Sequence, residues 1–406
     1  MDNLEEQYKS WKQKQTFECM EKSDLKHLLV KELEFLCQMS VQEYTLYRKW
    51  KEIQGKYPQK PSNPFFDTGP TVYPKVENVK SWIWTPESPE DYKKLEPVVL
   101  WTMKYENMGE PWTILRTFTS TMLNNPNIGR NLRFVVIDNV TGKYLGVLCC
   151  SSDFMDLTPR DKYIGWSREI KTTKKMINHT TIGSTIVPTQ PLGFSFVGGK
   201  LLALLTISRA CEDAWNERYN DKLIALTTTS LYGSFSQYQN LKYWNKRGHS
   251  AGSIKFEPSK ETVMAARMWL KCNHPKRYWE WYEAKNEQGL PLKRDHKQRS
   301  LAFIYKELGI NKKIIETNHQ RGIYFCTLFD NSCEFLRMEI GEDKLVRRFD
   351  NNVDTLVKLW KERYASKRIK SLMKNERYGT EGLFYDDMIN MTWEETKDKY
   401  IGEVGR

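Results

Sequence analysis

The sequence predicts a protein of the α+β or α/β class: a mixed sheet core with helices on both faces, a helical N-terminal extension and a mostly helical C-terminal region. Three patterns carry that expectation. Between Ile182 and Gly252 a short β-branched run gives way to a glycine turn, a leucine-rich helix, a second short run and another helix. Between Leu132 and Ser152 two apolar runs flank an Asp-Asn-Val-Thr-Gly turn, as in a hairpin. On either side, apolar residues recur at three- and four-residue spacing, as buried helical stripes do.

The stretch from Ile182 to Gly252 organises the rest. Residues 182–187 are expected to form a strand, 188–199 a turn, 200–219 a helix, 223–228 a second strand and 236–246 a second helix closed by Gly248. Strand, crossover helix and strand make a βαβ unit, so the two strands should run parallel. At the carboxyl end of the first strand, amides of the turn and of the first helical turn lack internal partners. With the helix dipole they make an anion site suited to phosphate. Gly198 and Gly199 would let a ligand approach the backbone, and Lys200 would add a fixed positive charge. The Val-Gly-Gly-Lys run has neither P-loop nor dinucleotide-fold spacing. A tight turn with a packing glycine is the alternative.

Along the chain, residues 1–56 form the helical extension. Leu25, Leu28, Leu29, Leu33, Leu36 and Cys37 lie on one stripe, with Ser23 placed to cap it. Residues 57–74 are proline-rich and read as a linker or an ordered arm. The core spans 75–254, with a strand at 81–84, a short helix at 88–95 and a helix at 111–123. The hairpin pairs 134–137 with 144–151, and Gly146 marks a bulge or a close backbone approach. Residues 255–406 form a basic, mostly helical domain with a second hairpin at 321–338. Its helix at 352–374 carries the stripe Val353, Leu356, Val357, Trp360 and Tyr364, and a docked helix pair ends the chain.

A net charge of +12 and a pI near 9.1 favour polyanion partners, nucleic acid first. No apolar run approaches the roughly 20 residues of a bilayer span. The opening MDNLEEQYKSWKQKQ lacks the apolar segment of a secretion signal, so the chain is expected inside the cell and away from membranes. The eight cysteines show neither CxxC nor zinc spacing, so no disulfide framework and no metal are expected. Two regions suit a polynucleotide. One interleaves Trp269, Tyr278, Trp279, Trp281 and Tyr282 with Lys276, Arg277 and Arg294, the mixture that base stacking and phosphate neutralisation require. An amphipathic helix with its aromatic side buried is the alternative there. The other, 358–377, holds eight basic residues against two acidic ones. Its Arg363, Lys367, Arg368, Lys370 and Lys374 are the first candidates for backbone phosphates, against a merely solvated face.

The order hairpin, strand, glycine turn, helix, strand, helix resembles the GNAT acyltransferase superfamily. Gln190-Pro-Leu-Gly193-Phe-Ser195 is similar to its Q-x-x-G-x-G/A pattern, and Tyr238 to Tyr243 with Gly248 look like the helix after its fifth strand. The resemblance implies that the turn, through Gln190 and Gly193, holds an acyl-coenzyme A or another phosphorylated donor. The inserted residues 196–199 leave open which glycines would do so. More specifically, residues from about 130 to 254 resemble the DruA family of the Druantia anti-phage systems and its phage-encoded relatives. The matching stretches are Leu145-Gly146-Val147, Arg160-Asp161 with Ile164-Gly165-Trp166, Ile186-Val187-Pro188, the helix from Lys200, and Thr227-Thr228 leading to Tyr232, Tyr238, Trp244 and Gly248. The family's usual Glu-Thr-Phe is Thr227-Thr228-Thr229 here, so an acidic group is missing. A looser likeness is to the Mom protein of phage Mu, which modifies adenine in DNA. These resemblances imply a bacterial cytoplasm, DNA rather than RNA, and protein partners from a phage or defence system.

Two functions follow. In the first, the chain is a transferase modifying a DNA base. Asp161 is then a base or orienting carboxylate, Thr229, Ser230 and Tyr232 donate to an oxyanion or leaving thiolate, and Tyr238 is a second acid. In the second, it is a non-catalytic DNA-binding component of a defence or counter-defence system, the old acyl site is a scaffold, and Arg160–Asp161 is a structural ion pair.

Overall fold

Among the described residues, one seven-stranded mixed sheet runs in the order β1-β2-β3-β4-β5-β7-β6. The strands are β1 (Pro97–Trp101), β2 (Asn131–Asp138), β3 (Tyr144–Ser152), β4 (Thr180–Pro188), β5 (Ala225–Ser230), β6 (Asn245–Lys255) and β7 (Glu316–Thr327). The structure is a computed structural model and describes residues 2–16, 18–57, 72–124, 129–231, 236–292 and 297–401. The chain divides into two units, each built from two segments: 1–44 with 253–319, and 45–252 with 320–406. These units differ from the contiguous blocks expected from the sequence, with boundaries at 56, 74 and 254. Most of the proline-rich stretch lies outside the described residues.

The β2–β3 hairpin forms as expected, and its turn chemistry is visible. Asp138 Oδ2 accepts from the amide and hydroxyl of Thr141 (3.1 and 2.6 Å), and Gly142 sits at φ 70°. A Cβ at Gly146 would lie 2.4 Å from Leu202 Cδ1 and 2.5 Å from the Val187 carbonyl oxygen. Only glycine lets β3 approach β4 and the leucine-rich helix this closely. The pairing steps from Val136↔Gly146 to Ile137↔Tyr144, so the expected bulge lies in β3, beside Gly146.

Strands β4 and β5 are parallel, as predicted, but only over Thr180↔Ala225, Thr181↔Leu226 and Ile182↔Thr227. In the crossover between them a short helix, Leu192–Ser195, is followed by two helices where one was expected, Gly198–Thr206 and Arg209–Tyr219. Buried Ser208 adopts an extended conformation (φ −73°, ψ 161°) and breaks the run. Alternate strand residues feed two cores on opposite faces of the sheet. Phe134, Leu148, Leu201, Leu202, Leu205 and Trp360 belong to one. Val135, Val147, Trp112, Leu115, Phe118 and Met388 belong to the other.

Three expected elements differ. Of the residues 236–246, those from 236 to 244 form turns, not a helix, because Asn240 and Tyr243 sit at φ 56° and 76°, where an L-residue cannot continue a right-handed helix. The Asn245–Lys255 strand then follows directly. The hairpin expected at 321–338 is one strand, β7, paired antiparallel to β5, and its second half is the short helix Ser332–Leu336. There the Ser332 hydroxyl donates to the Phe329 carbonyl (2.7 Å) and accepts from its amide (3.1 Å), which turns the chain back. Residues 81–84 contribute only the end of the Val72–Ser81 helix and an isolated bridge from Ile83 to Tyr144. The strand β1 was not anticipated.

In the smaller unit, the Lys22–Cys37 helix buries Leu25, Leu29, Leu33 and Leu36. Trp269, Tyr278 and Trp279 are also buried, so these aromatics belong to its core and not to a stacking surface. Cys19 and Cys272 form a disulfide.

Candidate functional site

The glycine turn after β4 is where the sequence places an anion cradle. Several of its amides are already used. Gly193 donates to Thr189 O (2.8 Å), Ser195 to Pro191 O (3.0 Å), Phe196 to Leu192 O (3.2 Å) and Lys200 to Val197 O (2.9 Å). Phe194 N donates to Gln190 Oε1 at 2.9 Å. The glycines make room for the chain itself. A Cβ at Gly193 would lie 2.6 Å from Gln190 Nε2, one at Gly198 2.6 Å from Leu192 Cγ, and one at Gly199 2.2 Å from Gln237 Oε1. The Lys200 ammonium donates to the carbonyls of Gln237 (3.0 Å) and Gln239 and lies 5.3 Å from the centre of the Tyr364 ring. Burial lowers its pKa to about 8.

Beyond Ile182, β4 and β5 separate, and side chains from 236–243 enter the gap. Gln237 Nε2 donates to the Ile186 carbonyl on β4 (3.1 Å) and to the Tyr238 hydroxyl (3.0 Å). Thr228 Oγ1 donates to the Gly183 carbonyl (3.0 Å) and lies 3.2 Å from the Tyr238 hydroxyl. Burial raises the pKa of the Tyr238 phenol. Thr229 and Ser230 are consecutive in β5, opposite Ile323 and Gly322, and so point to opposite faces of the sheet. Tyr232 lies outside the described residues.

Asp161 sits elsewhere. Its Oδ1 accepts from Arg160 Nε (2.8 Å) and Nη2 (2.6 Å), and its Oδ2 from Lys171 Nζ (2.8 Å) and the Leu157 amide (3.3 Å). Arg160 is fully buried and also lies 2.7 Å from Asp153, whose side chain has no exposure. Asp153 Oδ2 in turn accepts from the Thr227 hydroxyl (2.8 Å). Burial opposes the charge on Lys171, but hydrogen bonds to Asp156 and Asp161 outweigh it and raise its pKa. Asp153 follows the end of β3, beside the first residues of β4, whereas the glycine turn follows the last. A nine-residue strand spans about 26 Å, so the structure does not bring Asp161 to the turn. No spacing pattern in the sequence singles out Asp153, the innermost carboxylate of this network.

The C-terminal basic segment covers the glycine turn. Trp360 Nε1 donates to Phe196 O (3.1 Å), and Arg368 Nε to Phe194 O (3.1 Å) with its guanidinium 4.6 Å from the Phe194 ring centre. The Ser195 hydroxyl donates to Gly379 O (2.7 Å), and the Tyr364 hydroxyl accepts from the Lys242 amide (2.9 Å). Arg368 is thus partly spent on packing; burial, then the neighbouring Arg377, lowers its pKa. The helical segments Val353–Trp360 and Ser366–Lys374 are joined by a π-helical turn, Lys361–Ala365. The extra residue shifts the buried stripe from Leu356, Val357 and Trp360 to Ala365, Ile369 and Leu372. On the outer side Arg363, Lys367, Lys370, Lys374 and Arg377 follow four- and three-residue steps and are exposed. None of these five has a carboxylate partner among the described residues. In the smaller unit, Lys276 is paired with Glu5 (3.2 Å), and Arg277 stacks 4.1 Å from the Phe303 ring centre. Arg294 lies outside the described residues.

The family described as Druantia protein DruA matches residues 114–338, more than half of the sequence. The chain belongs to the DruA family. It is similar to the Druantia protein DruA of Escherichia coli, at 25% identity over 249 residues, which cover 57% of this chain and 59% of that relative. The chain therefore spans about three fifths of the curated relative's length. No solved structure matches it. Among the described residues, no helix is long and apolar enough to cross a membrane.

Proposed function

We propose that this DruA-family chain is a DNA-binding component of an anti-phage defence or counter-defence system, and that its GNAT-like core serves as a scaffold. The observation that carries the reading is the pairing of a self-filled cradle with an outward row of unpaired cations on the helix that seals it. Phosphate contacts supply most of sequence-independent affinity, and a helix face with cations at three- and four-residue steps matches that need. The sheet order supports the GNAT-like description, since four antiparallel strands lead to one parallel pair that splays. The curated relative's name supports the defence setting. Fluorescence anisotropy with labelled duplex DNA tests the proposal. Replacing Arg363, Lys367, Lys370 and Lys374 by alanine abolishes binding at moderate salt with the circular dichroism unchanged, while Gln237→Ala leaves binding intact. Undiminished binding by the alanine variant overturns it.

A second reading rests on the Thr228 and Tyr238 hydroxyls meeting in the gap between β4 and β5. A transferase acting on DNA, with an acyl-coenzyme A or another phosphorylated donor, would need Gln237 to leave the Ile186 carbonyl and free that edge of β4. Mass spectrometry of nucleosides from DNA co-expressed with the protein decides between the two. A modified base that disappears with Tyr238→Phe establishes the second reading, and unmodified DNA removes it.

A further inference from the structure

The smaller unit is built from two stretches of chain, 1–44 and 253–319, and one covalent bond joins them. Cys19 lies just ahead of the Lys22–Cys37 helix, and Cys272 lies in the last turn of the Lys260–Asn273 helix. The two are 253 residues apart in sequence, yet their Cα atoms are 5.8 Å apart and their sulfurs are bonded, while the remaining cysteines are free. Cys19 is exposed and Cys272 half-buried, so reductants in solution can reach the bond. Exposed disulfides are the labile ones, whereas structural ones resist reduction.

The bond acts where the two stretches meet. The Lys22–Cys37 helix has its own hold there through four buried leucines, and Glu32 accepts from the Ser259 amide (2.6 Å). The Asp2–Gln13 helix has much less. None of its described side chains is fully buried. Its Tyr8 ring lies 5.5 Å from that of Trp279, its Trp11 ring 6.0 Å from that of Tyr278, and Glu5 pairs with Lys276 at the surface (3.2 Å). An exposed pair of that kind contributes little, and a helix of 12 residues is marginal on its own in water. Beneath this helix Tyr278 and Trp279 are buried. When the smaller unit opens while the larger stays folded, the chain free to move between Cys19 and Cys272 is roughly 50 residues. Cross-linking a loop of that size lowers the opening constant by about 30- to 1,000-fold.

We propose that Cys19–Cys272 is a thiol-responsive latch on the smaller unit, independent of the DNA-binding face. Oxidised, it keeps the two stretches and the N-terminal helix together. Reduced, it lets the unit open, uncovering Tyr278 and Trp279 and releasing Lys276 from Glu5. A dithiol supplies the two electrons. Its thiolate attacks the exposed Cys19 sulfur, the S–S bond breaks, and Cys272 leaves as a thiolate and takes up a proton. The second thiol of the reductant then displaces Cys19 as a thiol, and the reductant closes to a disulfide. Hydrogen exchange read by mass spectrometry tests the latch on the full chain treated with oxidised glutathione, on the same chain treated with dithiothreitol, and on Cys19→Ser. Non-reducing peptide mapping of the oxidised protein returns a linked pair containing Cys19 and Cys272. The slowest amides of 22–37 and 260–273 exchange at least about tenfold faster after dithiothreitol and in Cys19→Ser, while those of 131–138 and 144–152 are unchanged in every state. Dithiothreitol adds nothing to Cys19→Ser, and reoxidation of the wild type restores slow exchange. Absence of the linked pair, exchange indifferent to dithiothreitol, or equal acceleration in the strands of the larger unit overturns the proposal.

Discussion

Replacing Arg160 by methionine is the sharpest probe of the buried charge network. The guanidinium has no exposure and lies 2.7 Å from Asp153, 2.6 Å from Asp161 and 2.8 Å from the Phe154 carbonyl. Methionine keeps much of the volume and removes every one of these contacts. Asp161 retains Lys171, but Asp153 is left as a buried carboxylate with no cation, facing only the Thr227 hydroxyl and the Phe154 amide. Stranding one member of a buried ion pair costs about 3–5 kcal/mol, a large part of the roughly 5–15 kcal/mol that holds a domain together. Urea unfolding followed by tryptophan fluorescence reads the loss. Adding Asp153→Asn to Arg160→Met recovers part of it, with a coupling of about 1–3 kcal/mol between the two positions. A loss below about 1 kcal/mol for Arg160→Met would mean that the network is not structural. Asp161 would then be available as a catalytic base, and the scaffold reading would weaken.

Other expectations follow from single sites. Lys49 is fully buried against Glu52 (2.7 Å), and burial, opposed by Glu52, lowers its pKa from 10.5 to about 7. Below about pH 7 the lysine is protonated in both states. Between there and 10.5 only the unfolded chain holds the proton, so this group makes stability rise with pH by up to about 1.4 kcal/mol per unit. Lys49→Met flattens that rise in a pH series of urea midpoints; an unchanged slope argues against it. Trp360→Ala removes a fully buried ring and its bond to Phe196, costing about 3–5 kcal/mol and exposing the 189–199 turn to hydrogen exchange. Retained protection of that turn would show that the C-terminal segment does not seal it. Gly146→Ala forces a methyl against the Val187 carbonyl and Leu202, and a loss of about 1–3 kcal/mol in the same urea assay is expected. A neutral outcome would contradict the close approach.

The sequence made the local elements legible, because their signals are local. Asp138 and Gly142 define a turn wherever they are placed, Gly146 announces a close approach, and the leucines from 201 to 205 require burial on every side. The parallel pair was readable for the same reason, since a helix between two short apolar runs dictates it. What escaped depends on distant partners. Nothing near β7 reveals that it lies between β5 and β6 in the sheet, and the turns at 236–243 owe their shape to Lys200 and Tyr364, which take up their carbonyls and an amide. The cradle shows the same limit. Gly198, Gly199 and Lys200 have the composition of an anion site, but Leu192 fills the space at Gly198, and Gln237, far along the chain, fills the space at Gly199. The aromatic residues around 269–282 have the mixture of a stacking surface, and the burial of Trp269, Tyr278 and Trp279 could not be told from their spacing.

The central claim is that Arg363, Lys367, Lys370 and Lys374 contact a polynucleotide backbone, and salt dependence tests it most directly. On duplex DNA each phosphate contact contributes about 0.9 to the slope of log K against log salt, so four contacts contribute about 3.6. Replacing all four by alanine is expected to lower the magnitude of the wild-type slope by about that amount. Equal slopes for the two proteins would contradict it.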